Sequence, residues 1–316
     1  MRILAHVHTF NDSEVIDRAL EAIRRQTRLP DAIVVVDNAS TDGTLDRIFS
    51  NDVTVVRNST NLGMGGAIGI GFACAMEQEF EWTWVLDPDG VPEPDALEKL
   101  LEFFERLPPS QKEQVYFLAC RLGTGERGYN PILLTESGME FLPLNANADS
   151  CRCNCFLWSG SLFRMPAVAK IGLPSPDYFA DYSELEYGYR ARQLGLVGYV
   201  VNGSVLHHNL GRPPGNRAIR PLRLGPLSLP LFESSPLRAY YATRNLLYFW
   251  LYQFRPYQPR WALRSIVHAL GYTAGFAIPL RRRRREPSRT TERMPSILCG
   301  VRMYRSCLVS FTWISS

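Results

Sequence analysis

Apolar and polar positions alternate in blocks that predict strands and helices in turn. Residues 1–7 are mostly apolar and predict a first strand. After His8-Thr9-Phe10-Asn11-Asp12-Ser13, apolar residues recur at Val15, Ile16, Ala19, Leu20 and Ile23, the spacing of one helix face. Asn11, Asp12 or Ser13 is placed to cap that helix. Residues 32–36 predict a second strand, ending in the acidic loop 37–43. Residues 53–56 predict a third, before the Gly-rich stretch 61–67. Residues 82–86 predict a fourth, which ends in Asp87-Pro88-Asp89. A helix over 94–106 sets Leu97, Leu100, Leu101 and Phe104 on one face, and 115–119 returns as a strand. This succession predicts an α/β fold with a mostly parallel sheet flanked by helices. Such sheets bind ligands at the C-terminal edge of their strands.

The pattern loosens over residues 121–155, where loops and short strands are expected. Residues 156–163 predict a strand, 166–170 a short helix, 184–194 a helix rich in Glu and Arg, and 196–206 a strand that runs into His207 and His208. Residues 212–236 are rich in Pro and Arg without clear periodicity and read as a linker or lid. Residues 237–254 are aromatic and helical in character. Residues 261–280 are mostly apolar, but the stretch 265–280 is shorter than the roughly 18–20 residues that span a bilayer. A helix lying in or on the membrane surface fits better.

Charge sharpens this picture. Residues 211–316 hold 18 Arg, no Lys and 3 acids, a net +15, whereas residues 1–210 carry −11. Residues 281–285 are five consecutive Arg. A basic tail on an acidic body implies a polyanionic partner for the tail, and an anionic membrane suits it. The acidic body argues against a nucleic-acid groove. The chain length suits one large domain with an appendage, or two domains. No secretory cleavage pattern is present, and seven cysteines at irregular spacing read as reduced thiols, so a cytoplasmic setting is expected. Cys151, Cys153 and Cys155 lack C-x-x-C zinc spacing; on a strand they share one face.

Asp87 and Asp89 leave a buried strand one residue apart. Two hard oxygen ligands there suit Mg²⁺ or Mn²⁺ bridging to a diphosphate; the competing reading is a solvated turn. Gly63, Gly65 and Gly66 allow close backbone approach. They are not a dinucleotide fingerprint, since Ile68 stands where that motif needs Gly. Asp181, Glu184 and Glu186 open a predicted helix, where its dipole favours acids.

Four strings occur in order: Val34 to Gly43 (VVVDNASTDG), Asn61-Leu62-Gly63, Trp84 to Asp89 (WVLDPD), and residues 181–192. Over roughly residues 1–250 they resemble the family 2 glycosyltransferases. The R-x-Y-Y-x-x-R-N string from Arg238 to Asn245 is similar to one in bacterial galactofuranosyl- and rhamnosyl-transferases of surface polysaccharide synthesis. The resemblance implies a GT-A, Rossmann-like catalytic domain over 1–211. Its nucleotide-sugar part would cover about 1–120 and its acceptor part 121–211, with a helical, basic, membrane-associated extension over 237–316.

It further implies an inverting, metal-dependent transferase at the inner face of the cytoplasmic membrane. The donor would be UDP-galactofuranose, or dTDP-rhamnose as the alternative, and the acceptor a polyprenyl-linked glycan. A non-catalytic glycan-binding protein on a degenerate transferase fold is the other class. Thr9, Asn11, Asp37, Asn61, Gly63, Gly66 and Asp87 would contact the nucleotide-sugar. Asp87, Asp89 and His208 would hold Mg²⁺ or Mn²⁺, with His207 the competitor for the histidine place. Glu184 would be the base, with Asp181 as its rival, because relatives carry Asp where Glu184 stands. Trp158, Gly160 and Glu186 would line the acceptor side, although a buried core Trp is an equal reading of Trp158. Pro88 stands where galactofuranosyl enzymes often carry an acid. No oligomeric state follows from the sequence.

Overall fold

The computed structural model describes residues 1–48, 51–123, 130–145, 147–208, 217–224, 227–233 and 235–277. Residues up to Phe276 form one compact unit. Residues 278–316, the five-Arg run among them, lie outside the described residues.

The chain opens with β1 (Ile3–Thr9), α1 (Ile16–Arg24), β2 (Ala32–Asp37), β3 (Val53–Arg57), α2 (Gly63–Glu77) and β4 (Trp82–Leu86). β5 (Gly90–Pro92), α3 (Ala96–Arg106), α4 (Pro109–Lys112) and β6 (Val115–Leu122) follow. The middle holds β7 (Ile132–Thr135), β8 (Gly138–Phe141), β9 (Ser150–Cys153), β10 (Ser161–Arg164), α5 (Met165–Ile171), α6 (Ser183–Gln193) and β11 (Val197–His208). Last come β12 (Arg217–Leu224), β13 (Leu227–Glu233), α7 (Pro236–Tyr248), a π-helical turn over Phe249–Gln253, and α8 (Pro259–Ala277).

Nine strands form one sheet in the order β3-β2-β1-β4-β10-β6-β11-β5, with β9 also paired to β11. β3, β2, β1 and β4 are parallel neighbours. β10 runs antiparallel between β4 and β6. β6 and β11 therefore point the same way as β4. Thr9, Asp37, Asp87 and His208 thus all emerge at one sheet edge, where open parallel sheets place their ligands.

Alternation along β1 feeds two cores. Ile3, Ala5 and Val7 face Ile16, Leu20 and Ile23 of α1 and Leu97 and Leu100 of α3. Leu4 joins Ile68 and Phe72 of α2 on the other face. A third cluster seats the C-terminal helices: Trp250, Phe254 and Trp261 pack with Leu185 and Tyr189 of α6.

Three sequence expectations shift. The Gly-rich stretch is not a loop but the first turn of α2, despite poor intrinsic propensity. Close packing decides this: a Cβ at Gly63 would lie 2.3 Å from the Phe179 carbonyl oxygen, and one at Gly65 2.6 Å from that of Ser175. Residues 217–224 and 227–233 form an antiparallel hairpin inside the stretch read as a linker or lid. The overlooked signal is Leu227, Leu229 and Leu231 alternating with Ser228 and Pro230, which is strand period. α1 has no side-chain cap, because Asp12 Oδ2 is taken by Thr9 Oγ1 and Phe10 N, each at 2.9 Å.

Candidate functional site

Register builds the acidic centre. β5 folds back beside β11, setting His208 opposite Gly90 and His207 opposite Val91. The Asp87–Asp89 turn therefore meets the end of β11. His208 Nε2 lies 2.6 Å from Asp87 Oδ2 and 3.3 Å from Asp89 Oδ1. The donor atoms of Asp87, Asp89 and His208 all fall within 4.8 Å of one another. Two carboxylates and an imidazole at this spacing fit a divalent cation with hard or borderline character. His207 turns away and pairs with Glu93 Oε1 at 2.6 Å.

On the other flank, His8 Nε2 approaches Asp87 Oδ1 at 3.1 Å. Burial would raise the Asp87 carboxyl, but His208 and His8 outweigh it and hold Asp87 well below the usual carboxylate range. Burial first, and the Asp87 charge with it, push Asp89 upward, against the pull of His208. The main chain is pinned as well, since Asp87 N donates to Ser159 Oγ at 2.9 Å.

The loops after β1 and β2 lace together beside this centre. Asn11, left-handed at φ 59°, accepts from Thr41 N at 2.8 Å, and its own N donates to Ser40 Oγ at 2.9 Å. Asp37 is fully buried; it accepts from Ser40 N at 3.2 Å and lies 3.6 Å from Arg57 Nε. Asn38 Nδ2 donates to the Gly63 carbonyl at 3.2 Å, while Asn61 Oδ1 accepts from Gly63 N at 2.8 Å. Gly66 lies against Leu62, whose Cβ would be 2.6 Å from a Cβ placed there. Thr9, Asn11, Asp37, Asn61, Gly63 and Gly66 therefore all belong to the loops and helix end at this edge.

Glu184, in the first turn of α6, is half-buried over an apolar floor that includes Tyr116, Phe156, Trp158, Phe163 and Tyr187. That burial pushes its carboxyl up to about 7, with the charges of Asp181 and Asp87 adding to the shift. Ser183 Oγ donates to Glu184 Oε2 at 3.2 Å and accepts from Trp158 Nε1 at 2.8 Å. Trp158 is only 3% exposed. Its burial fits the core reading better than an open acceptor wall; it meets the site as part of the floor under Glu184 and through its bond to Ser183. Glu186 is buried too: its carboxylate grips Arg190 Nε at 2.7 Å, and Arg190 reaches the Ile171 carbonyl at 2.8 Å. Its geometry is that of a brace beneath α6. Gly160, at φ 78°, turns the chain where a Cβ would meet Leu206 Cδ2 at 3.0 Å.

Asp181 is not presented in the same way as Glu184. Arg238 of α7 forks onto it, with Nε–Oδ2 at 3.0 Å and Nη2–Oδ1 at 2.8 Å. Asn245 Nδ2 donates to the carbonyls of Ala180 at 2.7 Å and Asp181 at 3.0 Å. Tyr241 stacks on Phe179 at 4.7 Å. Phe179 in turn accepts from Met64 N at 2.8 Å. The R-x-Y-Y-x-x-R-N string thus fastens the loop before Glu184 to the start of α2. His8, Ser159 and Arg238 lacked assigned roles in the sequence reading. His8 stands in a strand, Ser159 beside an obvious Trp, and Arg238, although it opens the R-x-Y-Y-x-x-R-N string, finds its partner Asp181 57 residues away, so local patterns give none of them a role.

Comparison with known proteins agrees with this architecture. The model of the family described as Glycosyl transferase family 2 matches residues 5–150. The chain is 26% identical over 261 residues to galactofuranosyltransferase GlfT1 of Mycobacterium tuberculosis, covering 77% of this chain and 80% of that one. It is 25% identical over 256 residues to GlfT1 of Mycolicibacterium smegmatis, covering 77% and 81%. Among solved structures it resembles the mannosyltransferase PcManGT from Pyrobaculum calidifontis in complex with GDP-Man and Mn²⁺. There the TM-score is 0.54 at 18% identity, covering 86% of this chain and 69% of that chain. GalNAc-T7 with UDP, GalNAc and Mn²⁺ gives a TM-score of 0.54 at 16% identity over 66% of this chain and 44% of that one. The chain therefore spans less than half of that structure. Residues 5–150 are thus similar to glycosyl transferase family 2, and the chain is a glycosyltransferase with the GT-A fold.

Proposed function

We propose that the protein is an inverting, metal-dependent galactofuranosyltransferase, taking its sugar from UDP-galactofuranose and passing it to a lipid-linked glycan. The observation that carries the reading is the convergence of Asp87, Asp89 and His208 at the sheet edge, close enough to Glu184 for the Asp87 charge to act on it. The donor choice leans on the two GlfT1 relatives, whose similarity covers most of both chains. In this reading Asp87, Asp89 and His208 hold Mg²⁺ or Mn²⁺, which would supply positive charge against the departing diphosphate. Asp37 and residues 61–66, at the start of α2, take the nucleotide and sugar. Glu184 accepts the proton of the incoming hydroxyl while that oxygen attacks the anomeric carbon in line. The Arg238 fork leaves Asp181 a holding role.

The basic tail and α8 place the enzyme beside its acceptor. Leu263, Ile266 and Leu270 on α8 are exposed with Arg260 and Arg264 nearby in sequence. Among the described residues no helix is long and apolar enough to cross a membrane, and a surface contact with anionic lipid suits this composition. The test is a donor screen with purified protein, Mn²⁺ and a polyprenyl-linked acceptor, reading glycan mass and released nucleotide. A mass gain of hexose from UDP-galactofuranose supports the reading. Transfer from dTDP-rhamnose alone would reassign the donor, and no transfer from any nucleotide-sugar would favour a binding protein.

A further inference from the structure

β1 carries an unusual pair. His6 and His8 alternate onto one face of the strand, the face covered by α2. Both are buried, and their ring centroids lie 5.7 Å apart. Neither ring nitrogen of His6 has a hydrogen-bond partner, and neither has Nδ1 of His8. Room for His6 exists because residue 71 is Gly: a Cβ there would stand 2.5 Å from His6 Nδ1. Burying polar nitrogens without partners costs free energy, and Val or Leu would fill this strand without that cost. Something must offset it, and among the described residues the polar engagement of the pair is His8 Nε2 on Asp87 Oδ1, at 3.1 Å.

Register makes that engagement systematic. Val7 pairs with Leu86 across β1 and β4, so His8 and Asp87 are the next residues on adjoining strands. Asp87 is then held from two sides, Oδ2 by His208 and Oδ1 by His8. The His8 contact is an ion-pair approach at 3.1 Å rather than a formed hydrogen bond, since Asp87 Oδ1 has no hydrogen-bond partner among the described residues. His8 itself is outside the group whose donor atoms converge within 4.8 Å, so it supports a ligand rather than joining the set. His6, with its ring against Gly71, backs the His8 ring and limits its tilt.

We propose that His8 is a positioning residue for the cation site: it holds Oδ1 of Asp87 and so keeps Oδ2 turned toward His208 and Asp89. This rests on the metal reading given under Proposed function. Outer partners that orient a ligand are worth about 10- to 100-fold in metal affinity. The pair explains why β1 tolerates two buried imidazoles and why α2 carries Gly at 71.

The experiment measures Mn²⁺ binding to the full chain by electron paramagnetic resonance of free Mn²⁺, with and without UDP, so that no turnover is involved. His8→Leu removes the N–H and keeps an apolar filling. His8→Gln places an amide N–H at about the reach of Nε2. We expect the Leu variant to bind Mn²⁺ about tenfold or more weakly and the Gln variant to recover most of the loss. In activity assays the Leu variant should need more Mn²⁺ for half-maximal rate while its rate at saturating Mn²⁺ stays within a few-fold of wild type. Equal Mn²⁺ affinity in wild type and Leu variant would overturn the assignment. So would a Gln variant as weak as the Leu variant, which would assign His8 to packing alone. Thermal unfolding run in parallel checks the fold, and His8→Val is the reserve if His8→Leu does not fold. Wild type that binds no Mn²⁺ in either condition would remove the metal reading and this inference together, whereas failure of the variants alone removes only the inference.

Discussion

A carboxyl that titrates near neutral pH can take a proton and release it again, and Glu184 owes that property to its place over an aromatic floor. Its pKa is pushed from the ordinary 4.5 to about 7, by burial first and then by neighbouring acids. Two outcomes follow, with opposite signs. With Glu184 as the proposed base, transfer should rise with pH along a one-proton limb centred near 7, because only the deprotonated carboxylate accepts a proton. Glu184→Gln should lower turnover by about 10²- to 10⁴-fold while UDP binding, read by calorimetry, stays near wild type. In stability the sign reverses. Between 4.5 and about 7 the folded state holds more protons than the unfolded one, so this group costs stability as pH rises through that window. Glu184→Gln should therefore melt higher than wild type at pH 8 and converge with it at pH 4. A Gln variant that keeps the wild-type rate while Asp181→Asn is dead would move the base role to Asp181.

At the scale of elements, α7 braces the loop that leads into Glu184. Its Arg238, Tyr241 and Asn245 secure a loop with two consecutive left-handed residues, Asp181 at φ 57° and Tyr182 at φ 63°. Each such residue costs on the order of 1–3 kcal/mol and persists where its surroundings hold it. Arg238→Ala should cut turnover more than tenfold. Arg238→Lys should recover only part, since a single ammonium cannot reproduce the two-pronged contact. Retained full activity in Arg238→Ala would separate α7 from catalysis. Gly63→Ala tests the other end of the chain of contacts: φ is +72° and the new Cβ would strike the Phe179 carbonyl. A loss above ~1 kcal/mol in urea unfolding is expected.

Much of this region was legible in the sequence. The strand ends at Asp37 and Asp87 announce themselves through apolar runs that stop at an acid, and those acids do gather at one edge. His208 was distinguishable from His207 only once β5 folded back beside β11, a three-residue strand too short to carry a periodic signal. The start of α2 was hidden because glycine disfavours helix locally, while packing against Phe179 and Ser175 demands it. The hairpin of β12 and β13 was masked by Pro and Arg, although its alternating leucines were visible.

The whole molecule divides its charge between an acidic body and a tail of net +15. Basic residues near an anionic leaflet contribute about 1 kcal/mol each, screened by salt. Changing all five residues of the 281–285 run to Gln should therefore reduce sedimentation with vesicles containing anionic lipid and leave transfer to a soluble acceptor analogue intact. Equal sedimentation of both proteins would remove that run as an anchor without touching the catalytic account. The proposed reaction requires a cation held at Asp87, Asp89 and His208. That requirement is tested most directly by following transfer from UDP-galactofuranose to a polyprenyl-linked acceptor by mass. The arms are wild type with Mn²⁺, wild type with excess chelator, and folded Asp89→Ala with Mn²⁺. Product is expected only in the first arm. Product at the wild-type rate in excess chelator, or from Asp89→Ala, would contradict that requirement.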